Sequence, residues 1–122
     1  MQNDTFIQSV FDAVDKSDAH GLADFMTEDA VFRFSNHPPV KGKKEIISFL
    51  ESFFASIEGT RHDQLESWKV PAGYVMNGRV TYTRHDGSTY PCWFSNTFKM
   101  EGDKIKEYLI FVDNSQLYRP GS

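Results

Sequence analysis

Phe6, Ile7, Val10, Phe11 and Val14 recur at three- and four-residue spacing, which predicts an amphipathic helix running to about Lys16 with Asp4 as its cap. Ser17 or Asp18 can cap a second, shorter helix whose Leu22, Phe25 and Met26 share a side, with Thr27-Glu28-Asp29 as its expected end. Residues 30–34 (Ala-Val-Phe-Arg-Phe) then read as a short strand. Asn36-His37-Pro38-Pro39 must be loop, because consecutive prolines remove backbone donors and push the preceding residue out of helical space. From about Gly42, Ile46, Ile47, Phe49, Leu50, Phe53, Phe54 and Ile57 spread over more than a narrow stripe and predict the most deeply buried helix, with Gly59 as its stop. Strands are expected at residues 61–70, 74–84, 90–100 and 105–113. Asp86-Gly87 is a favoured hairpin turn pair, Glu101-Gly102-Asp103 supplies a second turn, and a tail follows from Asn114 to Tyr118.

Three helices followed by strands on short turns indicate the α+β class, an antiparallel sheet with helices on one face. One domain is expected over residues 1–118, with 119–122 as a C-terminal tail. The last strand is apolar on both sides: Leu109 and Phe111 share a face with Asp113, while Tyr108, Ile110 and Val112 occupy the other. Helices can cover only one face, so the other is expected to pack on a second copy of the chain.

Charge and composition narrow the function classes. Thirteen Lys and Arg against seventeen Asp and Glu leave a net charge of -4, and Lys41, Lys43 and Lys44 are the densest basic stretch, so a nucleic-acid role is not expected. No apolar run approaches the ~20 residues of a membrane span, and the start Met1-Gln2-Asn3-Asp4 lacks the pattern of a signal peptide. The single cysteine, Cys92, cannot form an internal disulfide, which fits a reducing, cytoplasmic setting. The eight glycines are scattered among turns rather than gathered in a phosphate loop. Eleven Phe, five Tyr and two Trp must fill a core, wrap a cavity or form an interface.

Among residues able to carry chemistry, Asp113 has two readings. By parity it shares a face with Leu109 and Phe111, where desolvation would raise its pKa and suit it to proton transfer; equally, it can cap the turn at Asn114-Ser115. Asn96, flanked on its face by Phe94 and Phe98, is a buried amide whose partner is either a ligand oxygen or another protein group. Of the four histidines, His20 and His37 read as surface and loop residues, His85 as exposed beside a turn, and His62 as the candidate acid or base if it faces inward. His, Asp, Glu and Cys occur as scattered singles, so neither a metal nor any other cofactor is expected.

The order helix, helix, Glu28-Asp29-Ala30-Val31-Phe32, a third helix, then Val80-Thr81-Tyr82-Thr83-Arg84-His85-Asp86-Gly87, Pro91, Phe98 and Lys104-Ile105 on to Asp113 resembles the SnoaL-like branch of the nuclear transport factor 2-like superfamily. That resemblance covers nearly the whole chain. It implies a cone-shaped α+β fold, three N-terminal helices on a strongly curved, mostly antiparallel sheet, with an apolar pocket at the open end and homodimers through the outer sheet face. Asp113 matches the acid/base aspartate of SnoaL-like cyclases, and Asn96 lies near the position from which ketosteroid isomerases present a protonated aspartic acid to the substrate oxygen. Phe34 stands where those isomerases keep their general base, and Val10 or Phe11 replaces their helix-1 tyrosine, so steroid isomerisation by that route is not expected. The implied activity is cofactor-free acid–base chemistry on a hydrophobic, oxygen-bearing small molecule: cyclisation, isomerisation or dehydration. Asp113, Asn96 and His62 would be its catalytic groups, and Tyr82, Phe34, Phe94, Phe98, Phe111 and Phe54 its pocket lining. The rival reading is a noncatalytic ligand-binding or dimerisation domain.

Overall fold

A computed structural model describes residues 5–118, so the expected cap Asp4 and the tail 119–122 lie outside the described residues. Helices α1 (Thr5–Asp15), α2 (Ala19–Ala23) and α3 (Lys43–Ala55) are joined by strands β1 (Met26–Phe34) and β2 (Val40–Lys41). Strands β3 (Gly59–Val70), β4 (Gly73–Thr83), β5 (Thr89–Glu101) and β6 (Lys104–Val112) follow. All six strands form one sheet in the order β2-β1-β6-β5-β4-β3. The pairing is antiparallel except between β1 and β6, which run parallel.

The second helix is shorter than its apolar spacing predicts. Asp18 caps it, its side chain accepting from the Gly21 N–H at 2.9 Å, but it ends at Ala23. Ile105 then donates its backbone N–H to Phe25 O, and Met26 pairs with Ile105, so the sheet claims residues 26–29. Leu22 and Met26 are both fully buried, and a four-residue spacing cannot distinguish that outcome from continued helix. At the far end of α3, the Ser56 backbone N–H and hydroxyl both donate to Phe53 O. That contact stops the helix, and Gly59 instead opens β3 opposite Thr83. Nor is α3 the most buried helix: it buries Ile46, Leu50 and Phe54, whereas α1 buries Ile7, Val10, Phe11 and Ala13. The wider apolar girdle of α3 is used sideways, Phe49 and Phe53 meeting Phe32 and Phe34 edge-on or tilted.

Alternation along the long strands divides the sheet. Met76, Val80 and Tyr82 of β4, Phe94, Asn96 and Phe98 of β5, and Tyr108 of β6 point inward and are buried under the helices. Trp68, Trp93 and Phe111 lie on the opposite face and are 48%, 66% and 51% exposed. Bulges curve the sheet between Asp63 and Glu66 in β3, where Gln64 has φ 58°, and at Lys106 in β6, opposite Lys99 and Met100. Beyond β6 the chain folds back, and Leu117 is fully buried in the core.

Gly73 begins β4 at φ 154°, and a Cβ there would lie 2.0 Å from the Phe98 carbonyl oxygen, a backbone atom with nowhere to go. Gly73→Ala is therefore expected to lower stability by about 1–3 kcal/mol or more, read as a reduced urea midpoint with unchanged slope.

Candidate active site

The inner face of the sheet and the helices enclose a cavity of about 50 Å³, whose lining includes Leu22, Leu50, Phe53, Val80, Ile110 and Val112. Its polar groups are few: Thr60, His62, Tyr82, Asn96 and Tyr108. At ~10–15 Å³ per water, a space of this size has room for a few water molecules.

His62 is held from a distance in sequence. Its Nδ1 lies 2.5 Å from Asp15 Oδ1, and its backbone N–H donates to Asp15 Oδ2 at 3.0 Å, across 47 residues. The Thr60 hydroxyl donates to Asp15 Oδ1 at 2.8 Å. Phe11 and Phe94 pack on the imidazole with ring centres 4.8 and 5.3 Å away, and the His62 side chain is 9% exposed.

Asp15 is the last residue of α1, where the negative end of the helix dipole disfavours a carboxylate. Burial also pushes its carboxyl pKa up, but the His62 ring, the His62 N–H and the Thr60 hydroxyl outweigh that and hold it below its ordinary 3.8. An ionised carboxylate only accepts hydrogen bonds, so in the neutral ring Nδ1 carries the proton. Nε2 then keeps a free lone pair, and among the described residues no group bonds to it. The arrangement can act as a general base oriented by a half-buried carboxylate.

Asn96 lies centrally on β5, opposite Met76 and Ile110, and is 3% exposed. Its Oδ1 has no hydrogen-bond partner, a costly state for a buried polar atom. Burial raises the phenol pKa of both Tyr82 and Tyr108 well above the usual 10, so both stay protonated donors at any ordinary pH.

Asp113 is elsewhere. The inward residues of β6 are Tyr108, Ile110 and Val112, so alternation sends Leu109, Phe111 and Asp113 outward. Asp113 is exposed, and its Oδ1 accepts from the Ser115 backbone N–H at 3.1 Å. The Ser115 hydroxyl and N–H hold its carboxyl below 3.8, the reverse of the desolvated proton shuttle. The turn reading therefore describes it. Phe111 likewise lies on the outer face, and Phe98, fully buried, packs against Tyr108 at 4.6 Å between ring centres rather than on the cavity wall. Phe34, Phe54, Phe94, Tyr82, His62 and Asn96 do line the cavity.

Two features of the site escape the sequence pattern. Tyr108 sits on the strand face opposite the one read as functional, and Asp15 is one of many acidic residues until folding brings it to His62. The remaining histidines have structural partners: His85 Nε2 meets Ala55 O at 2.8 Å and Nδ1 meets Glu58 at 3.1 Å, while His37 packs against Phe34 and Phe49. Cys92 is partly buried, and burial together with the Asp113 carboxylate pushes its thiol up to about 11, far from a ready nucleophile. Among the described residues no three His, Cys, Asp or Glu side chains converge as metal ligands, and no helix is long and apolar enough to cross a membrane.

Carbon-detected NMR titration is expected to place the Asp15 and Asp113 carboxyls both below 3.8. Because the folded-state pKa of Asp15 is depressed, its stabilisation is complete above the unfolded value and is lost as pH falls through the lower folded one. Asp15→Asn should accordingly flatten the stability profile below about pH 4.

Comparison with known proteins places this site in context. The fold matches a candidate polyketide cyclase from Xanthomonas campestris pv. campestris with TM-score 0.83 at 16% identity, over 93% of this chain and 91% of that one. It matches an NTF2-like protein of unknown function from Burkholderia pseudomallei with TM-score 0.83 at 16% identity, over 94% and 93%. TerC, co-crystallised with polyporic acid, matches with TM-score 0.81 at 17% identity, over 93% of each chain. At such identities these likenesses concern the fold alone. No match is found among curated proteins. The SnoaL-like domain, by contrast, is matched in sequence over residues 7–108, and the chain belongs to the SnoaL-like family of NTF2-like proteins.

Proposed function

We propose that this protein is a cofactor-free acid–base enzyme acting on a small, largely apolar, oxygen-bearing molecule, by isomerisation, cyclisation or dehydration. The observation that carries this reading is the Asp15–His62 pair, 2.5 Å apart at the wall of an apolar cavity that also presents the unpartnered amide oxygen of Asn96. A structural core has no need of an imidazole with a free Nε2 and an unsatisfied amide on one cavity, and both features suit a bound polar group.

In the proposed step, His62 Nε2 removes a proton from the carbon next to a substrate carbonyl. The electron pair passes onto the carbonyl oxygen, where a cavity phenol donates a hydrogen bond, while the unpartnered Asn96 Oδ1 accepts from a hydroxyl of the substrate. The imidazolium is stabilised by Asp15 and returns the proton, either to another carbon in isomerisation or to a departing hydroxyl, which leaves as water, in dehydration. The dyad takes the acid/base part that family resemblance gives to Asp113. TerC, co-crystallised with polyporic acid, supports an oxygen-bearing ligand for this fold. The unpaired Cys92 fits a cytoplasmic setting.

We also propose a homodimer through the outer sheet face, because Trp68, Trp93 and Phe111 expose large apolar surface on that side. Light scattering is expected to give twice the chain mass, and Trp93→Glu the chain mass alone.

The catalytic reading is tested by incubating the protein in D₂O with small cyclic enones and hydroxy-ketones and following loss of α-proton signals by NMR. His62→Gln and Asp15→Asn should lower the exchange rate by about 10²–10⁴-fold, whereas Asp113→Asn should leave it unchanged. Equal rates in wild type and His62→Gln would contradict a catalytic dyad and favour the noncatalytic binding domain.

A further inference from the structure

The ends of β1, α3, β4 and β6 and the starts of β3 and β5 gather at one end of the sheet, as the pairings Gly59 with Thr83, Thr83 with Thr89 and Phe34 with Ile110 require. Phe34, Phe53, Phe54, Tyr82 and Val112 line the cavity at this end. The segment after β6 crosses it. Tyr90 donates its hydroxyl to Asp113 O at 2.6 Å, and Leu117 N–H closes a turn onto Asn114 O at 3.0 Å. The Arg84 guanidinium donates to Leu117 O at 2.7 Å and to Gln116 O at 2.9 Å, and the hydroxyls of Tyr118 and Ser56 meet at 2.9 Å. Leu117 inserts into the core with no exposed surface, although its neighbours Gln116 and Tyr118 are exposed.

A cavity of about 50 Å³ admits no ring-sized molecule, so a ligand must widen it or open a wall. Most walls are sheet or helix, whose backbone bonds are made within the element. Residues 113–118 are held instead by one apolar side chain and a few side-chain hydrogen bonds, the combination that opens at least cost. We propose that residues 113–118 form a latch across the mouth of the cavity, with Leu117 as its plug and Arg84 as its catch, and that ligand enters when this latch swings away. The link to ligand entry rests on the reading of the cavity as a binding site; the opening motion itself does not.

Cys92 reports on the motion. It lies on the inward side of β5 opposite Val80, partly buried against the core, near the start of the latch. Labelling of the full chain with 5,5′-dithiobis(2-nitrobenzoate) under native conditions therefore reads displacement of the latch from the thiol. Leu117→Ala and Arg84→Gln should each accelerate labelling about tenfold or more, the factor that follows from losing a bond to a charged group or a buried side chain from the closed state. Hydrogen exchange should quicken at residues 114–118 and stay slow at the central amides of β4 and β5. Gly73→Ala, which weakens the opposite end of the sheet, should leave labelling near the wild-type rate. Unchanged labelling in both latch variants, or equal acceleration by Gly73→Ala, would overturn the proposal. His62→Gln should not alter labelling, so loss of the catalytic reading and loss of the latch would be separately visible.

Discussion

Three short helices do not fill the concave side of a six-stranded sheet. Inward-facing residues of β4, β5 and β6 must be kept from water, yet α1, α2 and α3 leave a gap among Leu22, Leu50, Phe94 and Tyr108. Aromatic side chains narrow it to about 50 Å³, and the folded-back Leu117 adds a fully buried side chain to the same core. The high aromatic content of the chain is thus explained by geometry: large rings span a curved interior that smaller side chains would leave wet. The same curvature leaves Trp68, Trp93 and Phe111 uncovered on the convex side.

Within that interior, polarity is concentrated where it can be satisfied or used. Asp15 at the end of α1 is stabilised by three groups from β3, two of them from His62. Removing any one would leave a partly buried carboxylate short of donors, so the pair couples the first helix to the edge of the sheet as well as orienting the imidazole. Asn96 is different, since its oxygen is left without a partner at a site where alternation would accept an apolar residue of similar size.

Much of the fold was readable from local chemistry. The helical spacing in α1, the Asp18 cap, the Asp86-Gly87 turn and the alternation in β4, β5 and β6 each stand in the structure as elements of the expected kind. Misreadings arose where two periodicities coincide or where a face had to be chosen. Leu22 and Met26 fit one helix as well as a helix followed by a strand. Alternation in β6 defines two faces, but nothing local says whether Phe111 or Tyr108 faces the helices, and that choice decides the place of Asp113. The Asp15–His62 contact spans 47 residues and leaves no sequence pattern, since an acidic residue near a helix end is unremarkable by itself. Leu117, an isolated apolar residue in a polar tail, was the one local sign that the tail docks.

In the proposed reaction Asp15 fixes the imidazole of His62 so that its unbonded Nε2 is the base. Long-range proton–nitrogen NMR of the imidazole, at a pH where the ring is neutral, reads the tautomer directly. A protonated Nδ1 and an unprotonated Nε2 are expected, with the tautomer preference relaxing in Asp15→Asn. A His62 ring protonated at Nε2 in the wild-type protein would contradict that role.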